Sequence, residues 1–144
     1  MTDFHRSAGL RINDLKDTIP QIVMEKHLEV IPALKSKYGP YEKSHYIEDT
    51  RFHINYLSEA IASREKRLFT EYMGWAKTFF SRLPINESDI ILNLELLREA
   101  LIGNLDKETA ELVKEFMNDG IQRFATEPPG IPSYISGDNP LAFL

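Results

Sequence analysis

Apolar residues return every three or four positions along this chain, in stretches set apart by proline and glycine. That spacing predicts helices laid into a core, and the Val/Ile/Thr alternation that strands need is absent. The first region, roughly 8–37, carries Leu10, Leu15, Ile19, Ile22, Val23, Val30 and Leu34 on its apolar side. Pro20 either sits in the first turn of a second helix capped by Asp17 or Thr18, or kinks one long helix. Pro32 breaks or restarts the helix, and Gly39-Pro40 is a strong stop. A second region, roughly 42–63, has the stripe Ile47, Thr50, Ile54, Leu57 and Ile61. A third, roughly 66–82, is the most apolar, with Leu68, Phe69, Tyr72, Met73, Trp75, Ala76, Phe79, Phe80 and Leu83, and Pro84 ends it.

Two further helices follow. Asn86 or Ser88 caps the first, whose stripe is Ile90, Ile91, Leu94, Leu97 and Leu101, and Gly103-Asn104 stops it. Asp106 caps the second, with Val113, Phe116, Met117, Gly120, Ile121 and Phe124 inward. The expected architecture is a single all-α bundle of five to six helices over residues 1–127. Residues 128–144 form an irregular tail whose Ile131, Tyr134, Ile135, Leu141, Phe143 and Leu144 are too apolar for a solvated segment. It is expected to pack on the bundle or on a partner. Gly74, inside the most apolar helix, costs about 1 kcal/mol against alanine in exposed settings, which a close helix crossing would explain.

Charge and composition narrow the function classes. A net charge of −5 lacks the basic surplus that phosphate binding calls for, so nucleic acid is not an expected partner. With no cysteine, disulfides, thiolate metal sites and cysteine nucleophiles are all removed. No run reaches the roughly 18–20 apolar residues of a membrane span, and the N-terminus has no signal-peptide core. A cytoplasmic location without membrane contact is the expectation. No Gly-rich phosphate loop, G-x-S-x-G elbow or EF-hand loop occurs. No cofactor is expected.

The stretch His45-Tyr-Ile-Glu-Asp49-Thr-Arg-Phe-His53-Ile-Asn-Tyr56 carries the most chemistry. On a helical wheel with His45 at zero, Phe52, Tyr56, Asp49 and His53 fall between about −20° and 80°. The aliphatic stripe falls between about 120° and 200°. One reading makes this the central helix of the bundle, with Asp49 and Arg51 in polar contacts and the histidines at its margin. A second makes the polar face a metal site of His45, Asp49 and His53, with His27 supplying a ligand from another helix. A third makes it a face for a protein or a small molecule. The charge runs at 63–67 and 105–108 read as solvated helix ends.

The motifs Ile47-Glu-Asp-Thr-Arg-Phe-His53-Ile-Asn-Tyr56-Leu-Ser-Glu-Ala60 and Leu68-Phe-Thr-Glu-Tyr72-Met-Gly-Trp75 also resemble a family. They are similar to E-D-x-x-x-H-x-x-Y-L-x-E-A and L-F-x-x-Y-x-x-W in the helical N-terminal domain of RsbRD-type negative regulators of bacteria. Related domains precede cobalamin-binding modules. The resemblance covers about residues 38–102. It implies a sensory or protein-interaction role without a reaction, acting through a protein partner. Separately, the apolar tail or a leftover aromatic face is expected to form a homodimer, since exposed apolar area of that kind marks an interface. The resemblance also implies a pocket at Asp49, His53, Tyr56, Tyr72 and Trp75. No D-x-H-x-x-G signature is present, so cobalamin is not carried over.

Overall fold

The computed structural model describes residues 3–34, 40–81 and 85–128, which form six helices with no strand among them. They are α1 (Phe4–Asn13), α2 (Ile19–Val30), α3 (Pro40–Ser63), α4 (Lys66–Phe80), α5 (Glu87–Gly103) and α6 (Lys107–Thr126). The expected tail and the stops at Gly39 and Pro84 lie outside the described residues. The first region is two helices. A turn over Asp14–Thr18 separates them, and Pro20 occupies the first turn of α2, where its missing N–H is no loss.

Local chemistry sets several ends. Asp3 accepts a hydrogen bond from the His5 amide, and Asp106 accepts one from the Thr109 amide, each satisfying a first-turn donor. Asn86 and Thr18 hold the cap positions of α5 and α2 without a side-chain cap bond. Between α3 and α4, Arg64 adopts the left-handed φ of 59°, which turns the chain in a single step. Its guanidinium reaches Asp3 at 3.0 Å, and Lys66 bridges Glu115 and Asp119 of α6. The basic run at 63–67 therefore ties helix ends together as well as meeting water.

α3 is the spine, packed against α1, α2, α4 and α6, while α6 also holds α4 and α5. The core runs through Ile54, Leu57 and Ile61 of α3, Phe69 and Met73 of α4, and Leu94, Leu97 and Leu101 of α5. Val113, Met117 and Phe124 of α6 complete it. Ala8 and Ile12 close it from α1, and Ile19 and Val23 from α2. Two glycines permit the approach. A methyl at Gly9 would lie 2.7 Å from the Ala62 Cβ, and one at Gly120 would enter the Phe69 ring.

Four expectations are corrected here. Leu10, Ile22 and Val30 are 63%, 50% and 53% exposed, because α1 and α2 are short outer helices that need only a narrow inward stripe. Leu68 is also exposed, on the first turn of α4. Gly74 is covered by the Arg123 guanidinium and not by a helix backbone. The histidines do not all sit at the margin of α3, since His53 is 2% exposed.

Lys77 is the one lysine drawn into the interior among the described residues. Its ammonium donates to the Phe124 carbonyl at 2.9 Å and to Glu87 at 2.7 Å, above the Phe124 ring. It thereby satisfies a carbonyl in the last turn of α6 and pins the start of α5. The tightest fit predicts the most sensitive site. Gly120→Ala is expected to destabilise the fold by roughly 1–3 kcal/mol in urea denaturation, because the Phe69 ring must move to admit a methyl. An unchanged midpoint would refute that packing.

Candidate functional site

α3 meets α4 through a buried polar and aromatic cluster. The His53 Nδ1 lies 2.6 Å from the Tyr72 hydroxyl, with their rings edge-on at 5.6 Å. Tyr56, one turn along α3, stacks flat on Tyr72 with centroids 4.0 Å apart. Phe80 meets the His53 ring edge-on at 6.4 Å, and Phe69 leans on Tyr72. The helical spacing of His53 and Tyr56 turns both toward α4, and the one-residue reversal at Arg64 folds α4 back along α3.

Burial sets the protonation states. Desolvation lowers the His53 imidazole to about 4, so the ring is neutral. It raises the Tyr56 phenol to about 12 and the Tyr72 phenol well above its usual value, where Asp49 and Tyr56 add to the effect. Both phenols therefore stay protonated. Asp49 is pushed up to about 6, first by desolvation, with His45 pulling it down and Glu48 pushing it further up. Its carboxyl group makes no hydrogen bond or ion pair among the described residues. A carboxyl group so placed changes charge near neutrality.

The sequence-derived candidates divide. Asp49, His53, Tyr56 and Tyr72 come together. Trp75 stands one step away, stacked on Phe79 at 5.1 Å, and Phe79 in turn meets Phe80. The Trp75 indole N–H is buried with no hydrogen-bond acceptor among the described residues. His45 is exposed, close enough for its charge to act on Asp49. His27 does not join them. It sits on α2, 2% exposed, with Nδ1 2.7 Å from the Tyr46 hydroxyl. Among the described residues, no three His, Asp or Glu gather into a group that could hold a metal. Arg51 pairs outward, with Asp17 at 3.1 Å.

Tyr46 was missed in the sequence, and Phe80 was read there only as part of the aromatic stripe of the most apolar helix. The signal for Tyr46 was a recurrence: His27–Tyr46 and His53–Tyr72 share one spacing of 19 residues. Both pairs use Nδ1, and both cross at 5.6 Å and 63°. Tyr46 and His53 are seven residues apart on α3, so the two clasps lie along one edge of that helix, roughly 10 Å apart. Between them, Thr50 donates to the Tyr46 carbonyl and accepts from Asn93 of α5. Three neighbouring helices are thus fastened to one line of polar groups on α3. No helix of the described residues is long and apolar enough to cross a membrane. No protein family model and no curated protein matches the chain.

The cluster makes two measurable predictions. Tyr72→Phe keeps the ring but leaves the buried His53 Nδ1 without a partner, at an expected cost of roughly 1–3 kcal/mol in chemical denaturation. A loss below a few tenths of a kcal/mol would mean the bond carries no weight. The second concerns pH. His53 is depressed in the fold, so its contribution is present above pH 6.5 and is lost as pH falls through about 4. Asp49 is raised, so its contribution is present below pH 3.8 and is lost as pH rises through about 6. Each is worth on the order of 3 kcal/mol, and the two oppose one another between pH 4 and 6. Asp49→Asn removes one of them. The variant is expected to gain stability relative to the parent as pH rises from 4 to 7; a constant difference would contradict the burial of Asp49.

Proposed function

We propose that this chain is a non-enzymatic regulatory module that senses at the α3–α4 seam and acts by protein contact, with a second copy of itself as the simplest partner. One observation carries the reading. Asp49 is half-buried close to Tyr72, where desolvation raises its carboxyl group, and it has no donor to hold it among the described residues. A partly desolvated carboxylate without a partner is costly, and a donor brought from outside relieves that cost. The resemblance to RsbRD-type N-terminal domains points the same way, since its His53, Tyr56 and Tyr72 meet at this seam. Exposed Leu10, Ile22 and Val30 add apolar surface for association.

A small-molecule reading is favoured by the unpartnered Trp75 indole N–H beside the same aromatic run. An organic ligand there would quench the single tryptophan and raise the melting temperature by mass action. Native mass spectrometry separates the readings. The expected result is a multiple of the chain mass that shifts toward the single chain in Asp49→Lys, with the melting temperature of that variant measured alongside. A mass excess lost on denaturation would favour the ligand. A single chain at all concentrations, with no excess, would overturn self-association.

A further inference from the structure

Tyr72 of α4 is a buried phenol with one place for its proton to go. Its hydroxyl lies 2.6 Å from the His53 Nδ1 and makes no other hydrogen bond among the described residues. A neutral imidazole presents one bare nitrogen, so the phenol donates and Nδ1 accepts. The Tyr72 ring is 3% exposed and is covered flat by Tyr56, with centroids 4.0 Å apart and planes at 12°. Trp75 follows Tyr72 by three residues, which makes the two side chains neighbours on the surface of α4. The indole is only half-buried, so it lies nearer to water than the phenol does. Phe79 stacks on it at 5.1 Å, Phe80 meets Phe79 at 5.3 Å, and the His53 ring meets Phe80 at 6.4 Å. Aromatic rings thus run from the surface to the Tyr72–His53 bond. The two ends of this run differ in one respect. The indole N–H is buried with no acceptor among the described residues, whereas the phenol O–H is already bonded to one.

We infer that the α3–α4 seam is a one-electron redox relay: Trp75 is the point of entry and Tyr72 holds the resulting radical, its proton passing to His53. An indole or a phenol that gives up an electron becomes a strong acid, and the hole settles where a base stands ready to take the proton. Trp75 has no such base, so its radical cation keeps the proton and draws an electron from Tyr72. There the O–H bond breaks as the electron leaves, and the Nδ1–H bond forms. The products are a neutral Tyr72 phenoxyl, a His53 imidazolium and the reduced form of the oxidant, so one electron and one proton are accounted for. The oxidant is a one-electron acceptor, a metal complex or a small inorganic radical, that acts at Trp75 without entering the core. The pair stays bonded afterwards, because Nδ1 then donates to the phenoxyl oxygen. An oxidised phenol is a far stronger acid than an imidazolium, so the transfer proceeds although burial disfavours the charged His53 ring. Tyr56 and Phe69 shield the Tyr72 ring and keep a second radical from coupling to it. The relay goes beyond the module reading and stands without it, since it needs neither a partner nor self-association.

The test is flash photolysis of the whole chain at pH 8, with photogenerated tris(bipyridine)ruthenium(III) as the oxidant and a cobalt(III) ammine as the electron sink. Transient absorption separates the indole radical from the phenoxyl. In the parent, the indole signal is expected to appear first and to give way to the phenoxyl at one common rate. In deuterated water that rate is expected to fall to about half, because the proton moves with the electron. In Tyr72→Phe the phenoxyl yield is expected to fall by at least half and the indole signal to persist. Tyr46→Phe removes the other histidine–tyrosine bond and is expected to match the parent. Circular dichroism checks that each variant is helical, and the isotope comparison needs no variant. A phenoxyl of equal yield in the parent and Tyr72→Phe, or a rate unchanged in deuterated water, would overturn the relay. So would a phenoxyl lost in Tyr46→Phe and kept in Tyr72→Phe.

Discussion

A helix enclosed by neighbours on both of its long faces has no water with which to satisfy its polar side chains. α3 is in that position along the edge that carries Thr50 and His53, while His45, Glu48, Arg51 and Glu59 reach solvent, and the constraint on that edge organises the molecule. Tyr46, Thr50 and His53 each find a partner on a neighbouring helix or on their own backbone, and these partners decide which neighbour lies where. The apolar core supplies most of the driving force, but apolar contact is tolerant of register. Hydrogen bonds between named atoms are not. The short turn at Arg64 and the close approaches at Gly9 and Gly120 then fix how near the helices come.

The same constraint sets the chemistry. Burial displaces each group from its ordinary range: the imidazole of His53 downward, the carboxyl of Asp49 upward toward neutrality, both phenols further above it. What remains responsive sits at the edges of the enclosed region, where a group is half-buried and incompletely paired. Asp49 is of this kind. Among the described residues, the His27 Nε2 and the Trp75 indole N–H are buried polar atoms left unmatched in an interior where most others find a partner.

Much of the fold was legible in the pattern of apolar positions. The stripes of 54–61, 94–101 and 113–124 are the core, and Asp106 caps where its position before a periodic run says it should. The two-faced character of the 45–56 stretch was also readable, because a surface helix would carry lysine and glutamate there. Leu10, Ile22 and Val30 misled because periodicity reports what a helix is able to bury, and neighbours decide how much of it is covered. The site was half legible: the spacing of Asp49, His53 and Tyr56 gave one wall, and the resemblance gave Tyr72. The His27–Tyr46 contact needed three-dimensional knowledge, since nothing local joins a histidine to a tyrosine 19 residues on.

The pair of clasps has a consequence for how this chain can vary in length. Tyr46 and His53 are two helical turns apart on one edge, so α3 works as a ruler between α2 and α4. One residue inserted between them would rotate one clasp against the other by about 100°, and neither neighbouring helix could follow without leaving the core. The segment between Tyr46 and His53 should therefore accept substitution far more readily than insertion or deletion, while turns such as that between α1 and α2 are free to lengthen. Length in that short stretch, more than identity at any one position, is what holds the three helices in common register.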